Sequence, residues 1–235
     1  MKFFERLDLY HDNGSQSAAT NMAIDEALLI TAKLPSIRFY RWKSPALSFG
    51  YFGRFADVAE YAAERDLVRR WTGGGIVFHG DDLTYSIIMP STEPAFGESP
   101  MAIYEKIHCA LADALAETGQ RAVVAAIGDR GSLRSAIGTG VTDPGYSSHC
   151  FANPVQADVI IDARKVAGAA QRRTRAGLLH QGSIQGIDLG NGLPERFAKE
   201  LSKNCGEKKI DNELLDRARE IAGKKYATQD WLQRR

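Results

Sequence analysis

Arg69-Arg70-Trp71-Thr72-Gly73-Gly74-Gly75-Ile76-Val77-Phe78-His79 sets two arginines, a threonine and three consecutive glycines ahead of a run rich in apolar residues. Three glycines in a row cost backbone entropy in any ordered structure. They make sense where the chain must turn with φ > 0, or where a ligand must lie against bare main chain. The flanking arginines put fixed positive charge beside that backbone. A plain alternative is a glycine-rich hairpin with two solvated arginines. The stretch is neither a P-loop nor a dinucleotide fingerprint, because the Gly-Lys-Ser/Thr ending and the GxGxxG spacing are both absent.

A second stretch stands further along the chain. Cys150-Phe151-Ala152-Asn153-Pro154 is followed by Asp158-Val159-Ile160-Ile161-Asp162 and by Lys165-Val166-Ala167-Gly168-Ala169-Ala170-Gln171-Arg172. The small residues after Lys165 leave room beside a strand for a ligand or another chain. A lysine placed there can hold a charged group or stabilise developing negative charge. Equally, it can be a solvated lysine at a strand edge. Cys150 is open to two readings, a nucleophile or an inert buried thiol. His149 adjoins it, but strand neighbours point to opposite faces, so His149 reads as a bystander. Asp158 and Asn153 read as residues that order the adjoining loop.

Composition narrows the function classes. The chain has 235 residues and a net charge of +1, so no basic field points to nucleic acid. No apolar run approaches the roughly 20 residues that span a bilayer. The N-terminus turns charged at once and lacks a signal-peptide core. Cys109, Cys150 and Cys205 are too few and too scattered for a disulfide framework, which fits a cytoplasmic protein. No CxxC or HxxxH spacing supports a metal site.

Periodicity gives the element order. Ser17 to Thr31 reads as a helix, then Ile37–Trp42 and Ala46–Tyr51 as strands. Phe55–Arg65 reads as a short helix. Leu67–Arg70, Ile76–Phe78 and Leu83–Met89 read as strands. Ser99-Pro100 starts a helix carrying Ile103, Ile107, Leu111 and Leu115, which stops near Gly119. Residues 127–148 read as a long loop. Asp158–Ile161, Lys165–Gln171 and Leu178–Ile184 read as strands. Pro194–Ser202 and Asp211–Gly223 read as helices, with a last turn from Thr228. Runs of strands and helices in this order predict an α+β fold with a mixed β-sheet packed by helices.

Together the two stretches resemble the lipoate–protein ligase and octanoyltransferase superfamily, which shares its fold with biotin–protein ligases. Arg69 to His79 is similar to the family's RRxTGGGxVxH. Ala163-Arg164-Lys165-Val166-Ala167-Gly168-Ala169-Ala170-Gln171 resembles its GRKxxGxAQ, with Ala163 where glycine is usual. His180-Gln181-Gly182-Ser183-Ile184 looks like its histidine–glycine–serine strand. Asn21–Ala27 and Arg38–Trp42 resemble its first helix and first core strand. The likeness runs from about Asn21 to Ile184.

The resemblance implies a biotin/lipoate ligase catalytic domain over residues 1–235, with no C-terminal accessory domain. It implies catalytic roles for Cys150 and Lys165. In the family the matching lysine holds the acyl-adenylate in ligases and supports thioester chemistry in transferases, and in one octanoyltransferase group a cysteine precedes the lysine element. Substrate contacts are then expected from Arg69, Arg70, Thr72, Gly73, Gly74, Gly75, His79, Gly168, Ala169, Gln171 and His180. His79 and His180 also fit buried, hydrogen-bonded structural histidines. If Arg69 and Arg70 lie on a strand, only one of them points into the site. Gly53 stands where the family usually has glutamine, so nothing carries over there.

The implied activity is transfer of an octanoyl or lipoyl group from an acyl carrier protein thioester to a lysine of a lipoyl carrier domain. Glycine cleavage H protein and a 2-oxoacid dehydrogenase E2 are acceptors of that type. The transferase needs no cofactor. An ATP-dependent lipoate–protein ligase, requiring ATP and Mg, is the alternative reading. A non-catalytic lipoyl- or nucleotide-binding module is the alternative of another class. Biotin ligation fits the Lys165–Arg172 stretch less well. Neither a nucleic acid nor a membrane is implied as a partner.

Overall fold

The computed structural model describes residues 2–125 and 156–234. Its first helix, α1 (Ala18–Thr31), starts just after Ser17, whose backbone is extended and whose hydroxyl accepts from the Thr20 N–H at 3.3 Å. Such a cap satisfies an otherwise orphaned donor. Ser99 does the same for α2 (Pro100–Ala116), accepting from Ala102 N–H at 3.1 Å, with Pro100 in the first turn. Ile103, Ile107, Leu111 and Leu115 are each fully buried, as their spacing of four predicts. Each contributes about 2 kcal/mol through the apolar area it removes from water.

The strands are β1 (Leu7–Gln16), β2 (Ser36–Trp42), β3 (Ala46–Phe49), β4 (Asp66–Arg69), β5 (Val77–His79), β6 (Leu83–Pro90), β7 (Val123–Val124), β8 (Val159–Ile161), β9 (Arg164–Arg173), β10 (Gly177–Ile184) and β11 (Cys205–Lys208). Eight of them form one sheet in the order β11-β1-β2-β6-β10-β9-β8-β7. The other three form a small sheet, β4-β3-β5. β1 runs parallel to β11 and β2, whereas β2, β6, β10, β9, β8 and β7 pair antiparallel. The large sheet is therefore mixed, and helices cover both of its faces.

Alternation along the strands sorts the two faces. Leu83, Tyr85, Ile87 and Met89 of β6 and Ile37 and Phe39 of β2 join the core beneath α2 and the helix Leu193–Leu201. Tyr40 and Trp42 of β2 and Ile88 of β6 turn the other way, toward α1 and the helix Asn212–Ile221. Thr84 and Ser86 share that second side, by the period of two. The small sheet has its own core of Leu47, Phe49, Val58 and Ile76.

Some elements differ from the sequence reading. Phe55–Arg65 forms two short 3-10 turns, Phe55–Asp57 and Ala59–Ala63, rather than one helix. Val58 is the one fully buried apolar residue there, so no apolar stripe drives a longer helix. The helix expected to reach Gly223 ends at Ile221 and widens into a π-turn, Ala222–Tyr226. β1, β7 and β11 have no counterpart in the sequence reading. The loop expected over residues 127–148 lies outside the described residues, as do His149, Cys150 and Asn153.

Candidate active site

The small sheet lies over the α1 side of the large one, and a slot runs between them. From the small sheet and its glycine loop come Ser48, Arg70, Gly74, Val77 and His79. From the large sheet come Tyr40, Trp42, Thr84, Gln181 to Ser183 and Gly168 to Ala170, with Met22 from α1. Register explains the floor. Gly168 pairs with Ser183, Ser183 with Thr84, and Thr84 with Tyr40. This row crosses four adjacent strands, and its residues grow from glycine to tyrosine along it. Small residues open the slot at β9, and aromatic ones close it at β2.

The glycine loop is held by Arg70. Its guanidinium donates to the Gly73 and Gly75 carbonyls at 2.9 and 2.8 Å, and to Ser48 Oγ at 2.7 Å. Gly74 has φ +86°, in the left-handed region. A Cβ there would meet Arg70 Nη2 at 3.2 Å and Ala170 Cβ at 3.4 Å, so the loop lies directly on the slot floor. Gly73 has open space beside it. Thr72 anchors the loop from below: its hydroxyl donates to Gln181 Oε1 at 2.8 Å, and Gln181 Nε2 donates to Asp25 Oδ2 at 2.7 Å. Asp25 also accepts from Arg38 and Ser86, both at 2.8 Å, in a fully buried cluster.

His79 belongs to a second chain of hydrogen bonds. Its Nδ1 lies 2.8 Å from Asp82 Oδ2, and its Nε2 lies 2.7 Å from Ser48 Oγ. Burial pushes the His79 pKa down, and this outweighs the upward pull of Asp82. The ring is therefore neutral at pH 7, with Nδ1–H donating to Asp82 and Nε2 accepting. Ser48 must then donate to His79 while its oxygen accepts from Arg70. Asp82 takes further bonds from Thr84 and Ser183, at 2.9 and 2.7 Å. Burial alone pushes the Asp82 carboxyl up, but His79, Ser183 and the Gly80 N–H together bring it below its ordinary value.

Lys165 lies at the β9 end of the slot. Its ammonium is 2.8 Å from Asp158 Oδ2, and both side chains are buried. The lysine curls over Gly168, where a Cβ would come within 2.6 Å of Nζ. Glycine at position 168 is thus a steric condition for the lysine's pose. The Tyr104 hydroxyl donates to Asp158 Oδ1 at 2.8 Å and accepts from the Ala169 N–H at 2.8 Å. Burial, with Asp158 adding to it, pushes the Tyr104 phenol far above its ordinary pKa, so it remains a donor.

The structure separates the expected site residues. Arg70, Gly74, His79, Gly168 and Ala169 line the slot. Thr72 and Gly73 take part in holding the loop, and the Gly75 carbonyl binds Arg70. Arg69 does not line the slot. Its guanidinium donates to the carbonyls of Tyr51, Gly53, Trp231, Leu232 and Arg234, fastening the C-terminal turn to β4. Gln171 and His180 do not line it either. They pair across β9 and β10, with Gln171 Nε2 3.0 Å from His180 Nδ1. His180 is fully buried near Tyr104, Tyr85 and His108 of the α2 side. Cys109 and Cys205 are exposed and outside the slot.

Sequence reasoning missed Gly50, Tyr104, Ser48, Asp82 and Gln181. A Cβ on Gly50 would run into the Gly74 carbonyl oxygen, so this glycine lets the loop pack on β3. A larger cleft, of ≈ 1050 Å³, opens beside α1 and the helix Asn212–Ile221. It is rimmed by charged residues such as Lys33, Lys208, Glu213 and Lys224, and it holds no residue of the Arg69–His79 or Ala163–Gln171 stretches. No helix among the described residues is long and apolar enough to cross a membrane.

Comparison with known proteins places this geometry. Residues 17–199 match the family described as the lipoyl protein ligase A/B catalytic domain. The chain is 33% identical over 229 residues to the octanoyltransferase LipM of Anoxybacillus flavithermus, spanning 88% of this chain and 78% of that one. It is 34% identical over 228 residues to the LipM of Bacillus cereus, with the same two coverages. The fold matches a lipoate-protein ligase A bound with ATP at a TM-score of 0.71 and 21% identity, covering 98% of each chain. It also matches the bi-partite lipoate protein ligase of Thermoplasma acidophilum at a TM-score of 0.64 and 21% identity, covering 98% of this chain and 96% of that one. The α+β architecture is thus that of the biotin/lipoate ligase fold, and the chain belongs to the lipoyl protein ligase A/B catalytic-domain family, as an enzyme of the octanoyltransferase and lipoate–protein ligase type.

Proposed function

We propose that this enzyme moves an octanoyl group from an acyl carrier protein thioester, by way of Cys150, to one lysine of a lipoyl carrier domain. The observation that carries the reading is the buried Lys165 ammonium, held against Gly168 at the open end of a slot floored by small residues. The relatives named octanoyltransferase support the acyl group and the reaction class.

In the first step the Cys150 thiolate attacks the thioester carbonyl, and the C–S bond to the carrier breaks. The carrier thiol leaves with the proton that Cys150 gave up. In the second step the acceptor's neutral lysine amine attacks the acyl-cysteine and forms an amide. Cys150 departs as a thiol once the amine's proton is passed back. Exchange of one thioester for another is nearly isoenergetic, so no ATP enters. Lys165 supplies positive charge for the oxyanion and for the thiolate. Acceptors of the H protein or E2 lipoyl-domain type present such a lysine.

The test is incubation with octanoyl acyl carrier protein and no acceptor, read by intact mass. Wild type is expected to gain one octanoyl group in a hydroxylamine-labile bond, and Cys150→Ala to gain none. Iodoacetamide alkylation of Cys150 against pH adds a second readout, with Lys165→Ala shifting the profile upward. Lys165→Ala is also expected to slow transfer by ~10²–10³. An unmodified wild type that is fully active with lipoate, ATP and Mg would replace this reading with the ligase one. Bound ligand with no turnover from either donor would leave a binding module.

A further inference from the structure

A cluster of cations and aromatic rings sits beside the glycine loop and plays no part in the chemistry above. The Arg172 guanidinium lies over the Tyr51 and Trp71 rings, 5.0 and 5.2 Å from their centroids. Arg234 lies over Tyr51 and Trp231, at 4.6 and 5.7 Å. Lys225 lies over Trp71 and Trp231, at 4.0 and 4.5 Å. The platform is fixed to the site: the Tyr51 N–H donates to the Thr72 carbonyl at 2.9 Å, and Trp71 belongs to the motif itself. Phe52, next to Tyr51, is 85% exposed.

Charge is not balanced here. Lys225 has Glu26 at 2.6 Å. Among the described residues, Arg172 and Arg234 meet no carboxylate, and only ring faces receive them. The three cations crowd one another. Burial first, then Arg172 and Arg234, push the Lys225 ammonium down in spite of Glu26. Like charges gathered on aromatic faces beside a reaction slot favour an anion that arrives and leaves.

Position says which anion. Arg172 is four residues past Gly168 on β9, about 13 Å at strand rise. A donor reaching Lys165 must therefore carry its negative charge one arm's length from its thioester. A phosphopantetheine arm has that form, with a thioester at one end and a phosphodiester to its carrier at the other. We infer that Arg172 and Arg234, seated on Tyr51, Trp71 and Trp231, dock the phosphodiester end of an acyl carrier's arm while the acyl group enters the slot. This rests on the octanoyl-transfer reading.

The experiment compares two donors in Arg172→Gln, Arg234→Gln and the double variant. Octanoyl acyl carrier protein carries the phosphodiester; octanoyl-pantetheine does not. The double variant is expected to raise KM for the protein donor about tenfold, and to weaken its dependence on salt. KM for octanoyl-pantetheine and kcat are expected to stay as in wild type. Equal shifts for both donors, no shift for either, or a shift in the acceptor's KM alone would overturn the docking role. Binding of unacylated holo acyl carrier protein, followed by fluorescence anisotropy, separates this from failure of the transfer reading. Wild type is expected to bind and the double variant to bind about tenfold more weakly. Equal binding by both, or by neither, overturns the inference even if no acyl group is transferred. Arg234→Gln alone lies in the exposed terminal turn and controls for misfolding of β9.

Discussion

Lys165 and Asp158 form an ion pair 2.8 Å long in which both side chains are sealed from solvent. Removing one charge of a buried ion pair typically costs about 3–5 kcal/mol. Asp158→Asn is therefore expected to lower unfolding free energy by about that much, and the thermal midpoint by on the order of 10 °C. It should also loosen Tyr104, whose hydroxyl bridges Asp158 and the Ala169 N–H. Denaturant unfolding at pH 7 measures the first effect. A variant as stable as wild type would mean that the pair contributes nothing to folding.

The glycine loop offers a contrast between neighbours. Gly74 holds φ +86° against Arg70 and Ala170, whereas Gly73 has open space where a side chain would go. A non-glycine residue in that conformation costs about 1–3 kcal/mol. Gly74→Val is expected to lose most transfer activity while the fold survives, and Gly73→Ala to keep both. Activity measured beside circular dichroism checks this. Equal loss in the two variants would mean that the loop tolerates no side chain anywhere, and that its contact with the slot floor is incidental.

Acid should weaken the fold through its buried histidines. Burial pushes His79, His108 and His180 below their ordinary pKa, His108 to about 4. In the unfolded chain they titrate near 6.5. The unfolded state therefore binds more protons below that value, and stability falls as pH drops from about 6.5 through the folded-state values. For His108 alone the loss by pH 4 is about 3 kcal/mol. Unfolding free energies between pH 7 and 4.5 should show the decline, and His108→Gln should flatten it. A pH-independent stability over this range would show that the histidines carry no such linkage.

Arg69 tests which of the two motif arginines serves structure. Its five carbonyl acceptors tie the Tyr51–Gly53 loop to the terminal turn. Arg69→Gln is expected to cost about 3 kcal/mol. It should also speed tryptic cleavage at Lys224 and Lys225, while KM for a small octanoyl thioester stays as in wild type. A raised KM with unchanged stability would put Arg69 on the ligand instead.

Much of this was legible in the chain, for local reasons. The Ser17 and Ser99 caps, the fourfold spacing in α2 and the runs of β6 and β10 all write their structure into adjacent residues. β11 does not, because an exposed edge strand of Cys205-Gly-Glu-Lys has no apolar alternation. β1 hides for a related reason, since after Leu7 and Leu9 its remaining residues are mostly polar. The motif named the loop and the lysine, but not what holds them. Tyr104 and Asp158 are 54 residues apart, and Thr72 and Gln181 are 109 apart. Contacts at such separations leave no spacing to read. Even the pairing of His79 with Asp82, only three residues away, looks like a turn until Ser48 is seen to complete it.

Two bridges span the gap between the sheets. Asp82 gathers His79 from above with Thr84 and Ser183 from below, and Thr72 reaches down to Gln181. Lifting the small sheet would break several buried hydrogen bonds at once, those to the carboxylate being worth about 1.5–3 kcal/mol each. On the octanoyl-transfer reading proposed above, an acyl chain would have to be threaded lengthwise, like a bolt into a sleeve, and withdrawn along the same line. The kinetic consequence is that residence time should rise with every methylene added, because each one lengthens the path out while the walls stay still.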